Sequence, residues 1–298
     1  MAVALVQHQG RGLSFELGGK RTSLLAHQTP LSRRGFSPKS VSGISRPLHT
    51  IDKLLSLKLP GMAEEFERQL MTPGANDLPF ELRVNSLTDH EITLRAHKHL
   101  QALLKKACLP ISAASVEDVD YRAQRGLDKA TFLTLARLDW IRHQQNLVLT
   151  GPTGTGKTWL ACALANAACR AGLSCHFIRM SALTEMLTAA RATTNLAQKL
   201  AQLHRFDLLI LDDWGLESFS RHTQSSLLEL IDKRLGARST LITSQVPMNL
   251  WHDLFDNKTI ADAVMDRVIH NSHHMQFAGE SLRKVKGLVT KTLEKSSV

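Results

Sequence analysis

Residues 147–158 read LVLTGPTGTGKT, a short apolar run that ends in a glycine-punctuated turn closed by a lysine and a threonine. Gly151, Gly156, Lys157 and Thr158 occupy the four fixed positions of a phosphate-binding loop. Glycines let the backbone turn tightly, so that successive N–H groups converge on phosphate oxygens, and a following helix points its positive dipole end at the same anion. In such a loop Gly151, Pro152, Thr153, Gly154, Thr155 and Gly156 wrap the phosphates, Lys157 reaches the β- and γ-phosphates, and the Thr158 hydroxyl ligates Mg²⁺. The chemistry expected here is binding of a nucleoside triphosphate.

About 55 residues after Lys157, the run FDLLIL ends in Asp212 and Asp213. Two adjacent carboxylates at the tip of a buried strand are costly unless a cation or a substrate proton compensates them. Asp212 is expected to hold Mg²⁺, mostly through its water shell, and Asp213 to orient or deprotonate an attacking water. Beside a phosphate loop, the pair makes a nucleotide hydrolysis site. Thr243, Ser244 and Gln245 close the next apolar run and, with the usual strand order, place polar side chains between the two acids and the γ-phosphate. Gln245 is then placed to polarise the water, although taken alone the tripeptide is only a strand-ending turn.

The elements that must position these groups alternate. Residues 147–149, 176–179, 206–211 and 239–243 read as strands, and 159–169, 181–192, 225–235 and 260–270 as helices, with Ser181 a candidate N-cap. Such alternation implies a parallel sheet covered on both faces. Residues 127–142 read as one helix ahead of the first strand, expected to lie over the nucleotide base. Further upstream, two short helices split by Pro60-Gly61 precede a long amphipathic helix over residues 79–107, whose later turns carry Arg95, Lys98, Lys105 and Lys106. That basic end suits either plain solvation or a phosphate-backbone contact. Residues 1–47 hold seven Lys/Arg and a single acid, Glu16, without periodicity, and read as a disordered extension or flexible arm in preference to a transit peptide.

A 298-residue chain with 43% hydrophobic residues can build a substantial core, and a net charge of +10 favours a polyanionic partner. The four cysteines show no CxxC spacing and are expected as buried, reduced thiols. No apolar run reaches the roughly 18 residues of a membrane span, so a soluble, cytoplasmic protein is expected.

The stretches GPTGTGKTWLACAL, DLLILDDWGL, RSTLITSQVP and ADAVMDRVIHNSHHMQF followed by GESLRK resemble the IstB-like insertion-sequence helper ATPases. That group is an AAA+ branch near the DnaC-type helicase loaders. HTIDKLLSLKLPGMAEEFERQL and DVDYRAQRGLDKATF join the resemblance, which runs in consistent order over about residues 48–286. It implies an α/β AAA+ P-loop core, with a parallel sheet flanked by helices and a small all-helical domain before it. The segments are a disordered basic extension (1–47), a helical domain (48–110), the ATPase domain (111–286) and a basic tail (287–298). The implied function is an ATP- and Mg²⁺-dependent helper that binds double-stranded DNA largely without sequence preference, engages a transposase, and shares ATP sites within a homo-oligomer. Gln245 falls at the sensor-1 position and Arg267 at the arginine-finger position, reaching a neighbouring subunit's γ-phosphate. The alternative for Arg267 is an ion pair with Asp262 or Asp266. Asp213 stands where a glutamate is commoner, which implies slow turnover, and His270, His273 and His274 lack the thiol or acid to complete a metal site. Arg283 faces nucleotide, DNA or solvent, and residues 1–47 have no counterpart. Two other functions fit the same features: a replicative helicase loader, and an adaptor in which ATP binding alone switches DNA affinity.

Overall fold

The computed structural model describes residues 45–123 and 125–282. The basic extension up to residue 44, Arg283 and the lysines of the C-terminal tail lie outside the described residues. Helices α1 (Ser45–Ser56), α2 (Pro60–Met71) and α3 (Phe80–Ala107) come first. The two short helices are separate as expected; the break falls at residues 57–59, and Pro60 and Gly61 open α2, because proline's fixed φ and missing N–H suit a first helical turn. Glu91 of α3 is buried and accepts from the Gly61 and Met62 amides at 2.7 and 3.1 Å, which caps α2 from the neighbouring helix.

The segment expected as one helix over residues 127–142 is two, α4 (Lys129–Ala136) and α5 (Asp139–Arg142). Asp128 caps α4 through the Thr131 amide, and Leu138 adopts a left-handed conformation (φ 65°) that breaks the helix. The indole of Trp140 donates back to the Leu135 carbonyl and fastens the corner.

Strand β1 (Asn146–Thr150) leads into α6 (Lys157–Arg170), and β2 (Cys175–Arg179) into α7 (Met180–Ala192) and α8 (Leu196–His204). Ser181 does not cap α7; the helix starts at Met180, directly after an extended Arg179 that makes no side-chain cap bond. Then follow β3 (Leu208–Trp214), α9 (Arg221–Arg234), β4 (Ser239–Ser244), α10 (Lys258–Ile269) and β5 (Ser272–Gln276). Asp212 and Asp213 lie inside β3 instead of just beyond it. All five strands are parallel, in the order β2-β3-β4-β1-β5. The sheet is thus wholly parallel, with β1 as an interior strand and the phosphate-loop motif between β1 and α6.

Side chains alternate across each strand, so the sheet carries two cores. Leu147, Leu149, Leu208 and Ile210 pack with α6, the end of α3 and the α4–α5 corner, and Val148, Leu209, Leu211 and Ile242 pack with α7 to α10. Leu103 and Ala107 of α3 thus belong to the same cluster as the sheet. Three cysteines are buried, whereas Cys108, at the left-handed end of α3, is exposed, contrary to the expectation of four buried thiols. Among the described residues no helix is long and apolar enough to cross a membrane.

At the end of the strands opposite the phosphate loop, Arg234 is 1% exposed. Its guanidinium donates to the Leu203 and Phe206 carbonyls (2.9 and 3.0 Å), the Thr240 hydroxyl (3.1 Å) and the Ser239 carbonyl. Burial pushes its pKa down to about 9, with Arg238 adding to the fall and Asp207 opposing it. Arg234→Met is expected to lower stability by about 3 kcal/mol, because several buried carbonyls at the end of α8 lose their donor. Urea denaturation measures this, and a loss below about 1 kcal/mol would show that water replaces the guanidinium.

Candidate nucleotide site

The loop after β1 needs backbone that only glycine supplies cheaply. Gly151 has φ 143°, and a Cβ there would stand 2.4 Å from the Phe277 carbonyl oxygen; Gly156 has φ 92°. Lys157, the first residue of α6, is 6% exposed, and its Nζ folds back onto the Gly151 and Pro152 carbonyls at 2.7 and 2.8 Å. Burial draws its pKa down while Asp213 and Asp212 pull it back up.

Asp212 is 1% exposed, and its Oδ1 accepts from both the Thr158 hydroxyl (2.9 Å) and the Thr243 hydroxyl (2.6 Å). Burial raises its pKa, the bonds from Thr243 and Thr158 oppose the rise, and Asp213 adds to it. A desolvated ammonium and a desolvated carboxyl therefore flank one loop, and each gains from the charge that a metal-bound triphosphate brings. The adjacent Thr158 hydroxyl and Asp212 carboxylate are hard oxygen donors of the kind Mg²⁺ takes. This donor set fits the metal.

Asp213 adopts a left-handed conformation (φ 61°), which lets two consecutive side chains leave the strand end differently; the ladder between β3 and β4 shifts at this point. Its amide donates to the same Thr243 hydroxyl at 3.1 Å, so Thr243 joins the two acids. Gln245 Nε2 lies 3.5 Å from Asp213 Oδ1, a long contact. Ser244 departs from expectation: it is buried, donates to the Trp214 and Val246 carbonyls, and does not face the acids.

The structure brings Gly151, Pro152, Thr153, Gly154, Thr155, Gly156, Lys157, Thr158, Asp212, Asp213 and Gln245 to one end of the sheet. Arg267 is elsewhere. Its carbonyl faces the Asn146 side chain at 3.4 Å, at the start of β1, and its guanidinium donates to Asp232 (2.7 Å) and the Ala263 carbonyl (2.9 Å). The ion-pair partner is thus on α9, and Asp262 contacts His252 instead. His273 contacts Gln145 and His274 contacts Thr150, and among the described residues no cluster of metal-ligating side chains is found.

Two arginines at the site were not singled out from the sequence. Arg179 ends β2 opposite Asp212 in the strand register, with Nε 4.0 Å from Asp212 Oδ2. Arg125, from the segment before α4, is buried and donates to the Thr155 carbonyl at 2.9 Å. Burial lowers its pKa, with Asp120 opposing the fall. Strand register alone would have found Arg179; no local signal marks Arg125.

The family described as IstB-like ATP binding protein matches residues 52–289. An insertion-sequence ATP-binding protein of Sinorhizobium fredii is 42% identical over 235 residues, which cover 79% of this chain and 96% of that protein. Another, from Pseudomonas fluorescens, is 46% identical over 199 residues, 67% of this chain and 86% of its own. Among solved structures, DnaI gives a TM-score of 0.48 at 21% identity, over 59% of this chain and 93% of that one. The DnaC helicase loader gives 0.47 at 19% identity, over 55% and 97%.

Proposed function

We propose, since the chain belongs to the IstB-like ATP-binding proteins, that it is the ATP-hydrolysing helper of a transposase, acting as a homo-oligomer on double-stranded DNA in the cytoplasm. The observation that carries the hydrolytic part is the chain of contacts Thr158–Asp212–Thr243–Asp213, which joins the phosphate loop to two carboxylates. Thr158 and Asp212 would hold Mg²⁺. The metal, when bound, neutralises charge on the β- and γ-phosphates.

On ATP binding, Lys157 exchanges the Gly151 and Pro152 carbonyls for phosphate oxygens. Asp213 accepts the proton of a water whose oxygen attacks the γ-phosphorus, Gln245 orients that water, and the bond to the bridging oxygen breaks to give ADP and phosphate. Arg179 adds a same-chain cation beside Asp212. Arg267 lies too far from its own loop to take part there, because β1 separates them by about 13 Å. It acts on the γ-phosphate of an adjacent subunit.

The polyanion reading is supported by the net charge of +10 and by a groove of 480 Å³ between α1, α2 and α3. Lys58, Arg95 and Lys98 line that groove, and Lys105 and Lys106 are exposed further along α3. One experiment tests the hydrolytic and DNA-binding parts of this reading: ATP turnover and DNA affinity of the wild type and Asp213→Asn, with duplexes of unrelated sequence, between roughly 50 and 200 mM salt. DNA should stimulate turnover and its affinity should fall steeply with salt, alike for all sequences. Asp213→Asn should retain nucleotide and lose turnover by about 10²-fold or more, since asparagine tolerates the left-handed backbone while removing the base. Preference for one short sequence, or unchanged turnover in the variant, would overturn the corresponding part. ATP-switched DNA binding without hydrolysis would instead identify the adaptor.

A further inference from the structure

Arg125 is 4% exposed, and its fork donates through Nη1 to the Thr155 carbonyl (2.9 Å) and through Nη2 to the Asp120 carbonyl (3.1 Å). Its Nε is buried with no hydrogen-bond partner among the described residues. No carboxylate among them forms an ion pair with it, and the Asp120 carboxylate is taken by Arg122. The guanidinium lies against the phosphate loop itself: Nη1 is 2.5 Å from where a Cβ on Gly156 would stand. A buried cation held only by carbonyl oxygens is poorly compensated, and here it sits beside the positive end of α6. The repulsion between the two is relieved by an anion with several charges.

The Thr155 carbonyl belongs to the same peptide group as the Gly156 N–H, one of the amides at the start of α6 without an intrahelical acceptor. A cation bonded to the carbonyl polarises that group and makes its N–H a stronger donor. The backbone of Arg125 also reaches the segment after β5, since its carbonyl accepts from Ala278, and four residues later Leu282 donates to the Gly154 carbonyl.

We propose that Arg125 is a positioning residue for nucleotide phosphate, acting from the outer face of the loop through the Thr155–Gly156 peptide and through its unneutralised charge. The inference rests on the ATP-binding reading above. Arg125→Met keeps the apolar stem and removes the charge, and Arg125→Lys keeps the charge but loses the fork. Both are titrated with ATP and ADP at two salt concentrations and melted without nucleotide.

Arg125→Met should weaken both nucleotides about 10- to 100-fold and flatten the salt dependence of binding, while its nucleotide-free melting midpoint stays within about 3 °C of wild type. Arg125→Lys should stay within about fivefold of wild type, because the charge survives. Wild-type affinity in Arg125→Met, or a loss that Arg125→Lys shares in full, overturns the proposal and leaves Arg125 a structural strut. If Arg125→Met does not fold, Arg125→Gln, which also removes the charge, is titrated in its place by the same limits. Failure of the wild type to bind ATP is a separate result, which removes the ATP-binding reading and this inference with it.

Discussion

Lys157→Ala is expected to lose tight ATP binding, by about 10²-fold or more. The ammonium is nearly buried and its hydrogen bonds go to two neutral loop carbonyls, which are weaker acceptors than phosphate oxygens. Neither Thr158 nor Asp212 replaces it, since a hydroxyl and a carboxylate bring no positive charge to the phosphates. The fold should survive the change. Burial already disfavours the charged lysine, and removing it leaves loop carbonyls close to solvent, so a lost affinity reports on the ligand and not on unfolding. Calorimetric titration with ATP, alongside a melting curve, measures both. Equal affinity in variant and wild type would reject the loop as the nucleotide site.

Arg267→Ala should keep ATP affinity and lose turnover by roughly 10³-fold, the effect expected of a cation supplied to the γ-phosphoryl group as charge develops there. Mixing makes the sharper test. Lys157→Ala offers a finger and a dead loop, and Arg267→Ala a loop and no finger, so the two inactive proteins together should recover partial turnover at mixed interfaces. The ion pair with Asp232 supplies a control: Asp232→Asn frees the finger and should not abolish turnover. Silence of the mixture despite demonstrated mixed oligomers, or normal hydrolysis by Arg267→Ala, would reduce Arg267 to a clamp between α9 and α10.

The parts legible in the sequence are those whose chemistry is local. Gly151 to Thr158 fix a backbone path by themselves, and Asp212 and Asp213 end an apolar run, so loop and acids are found without coordinates. The edge strand β5 escaped because SHHMQ contains no β-branched or aromatic residue and only Met275 is buried, as suits a strand with one covered side. The break at Leu138 escaped because leucine gives no sign of a left-handed turn. Arg125, Arg179 and the Arg267 partner escaped for one shared reason. Their contacts span 30, 33 and 35 positions, and only folding decides them.

Lys157 and Arg267 stand at the two ends of one strand, and this separation has a consequence for counting. A twofold pair would return the contact, each subunit's Arg267 end meeting the other's Lys157 end; a contact that is passed on to a third subunit instead of returned is heterologous. Repeating it gives a ring if the rotation closes and a helical row if it does not. In a ring every loop meets a finger. In an open row the terminal loop is left without one, so working sites number one fewer than subunits. A pair of chains then holds a single complete site, and turnover per subunit climbs as the row lengthens.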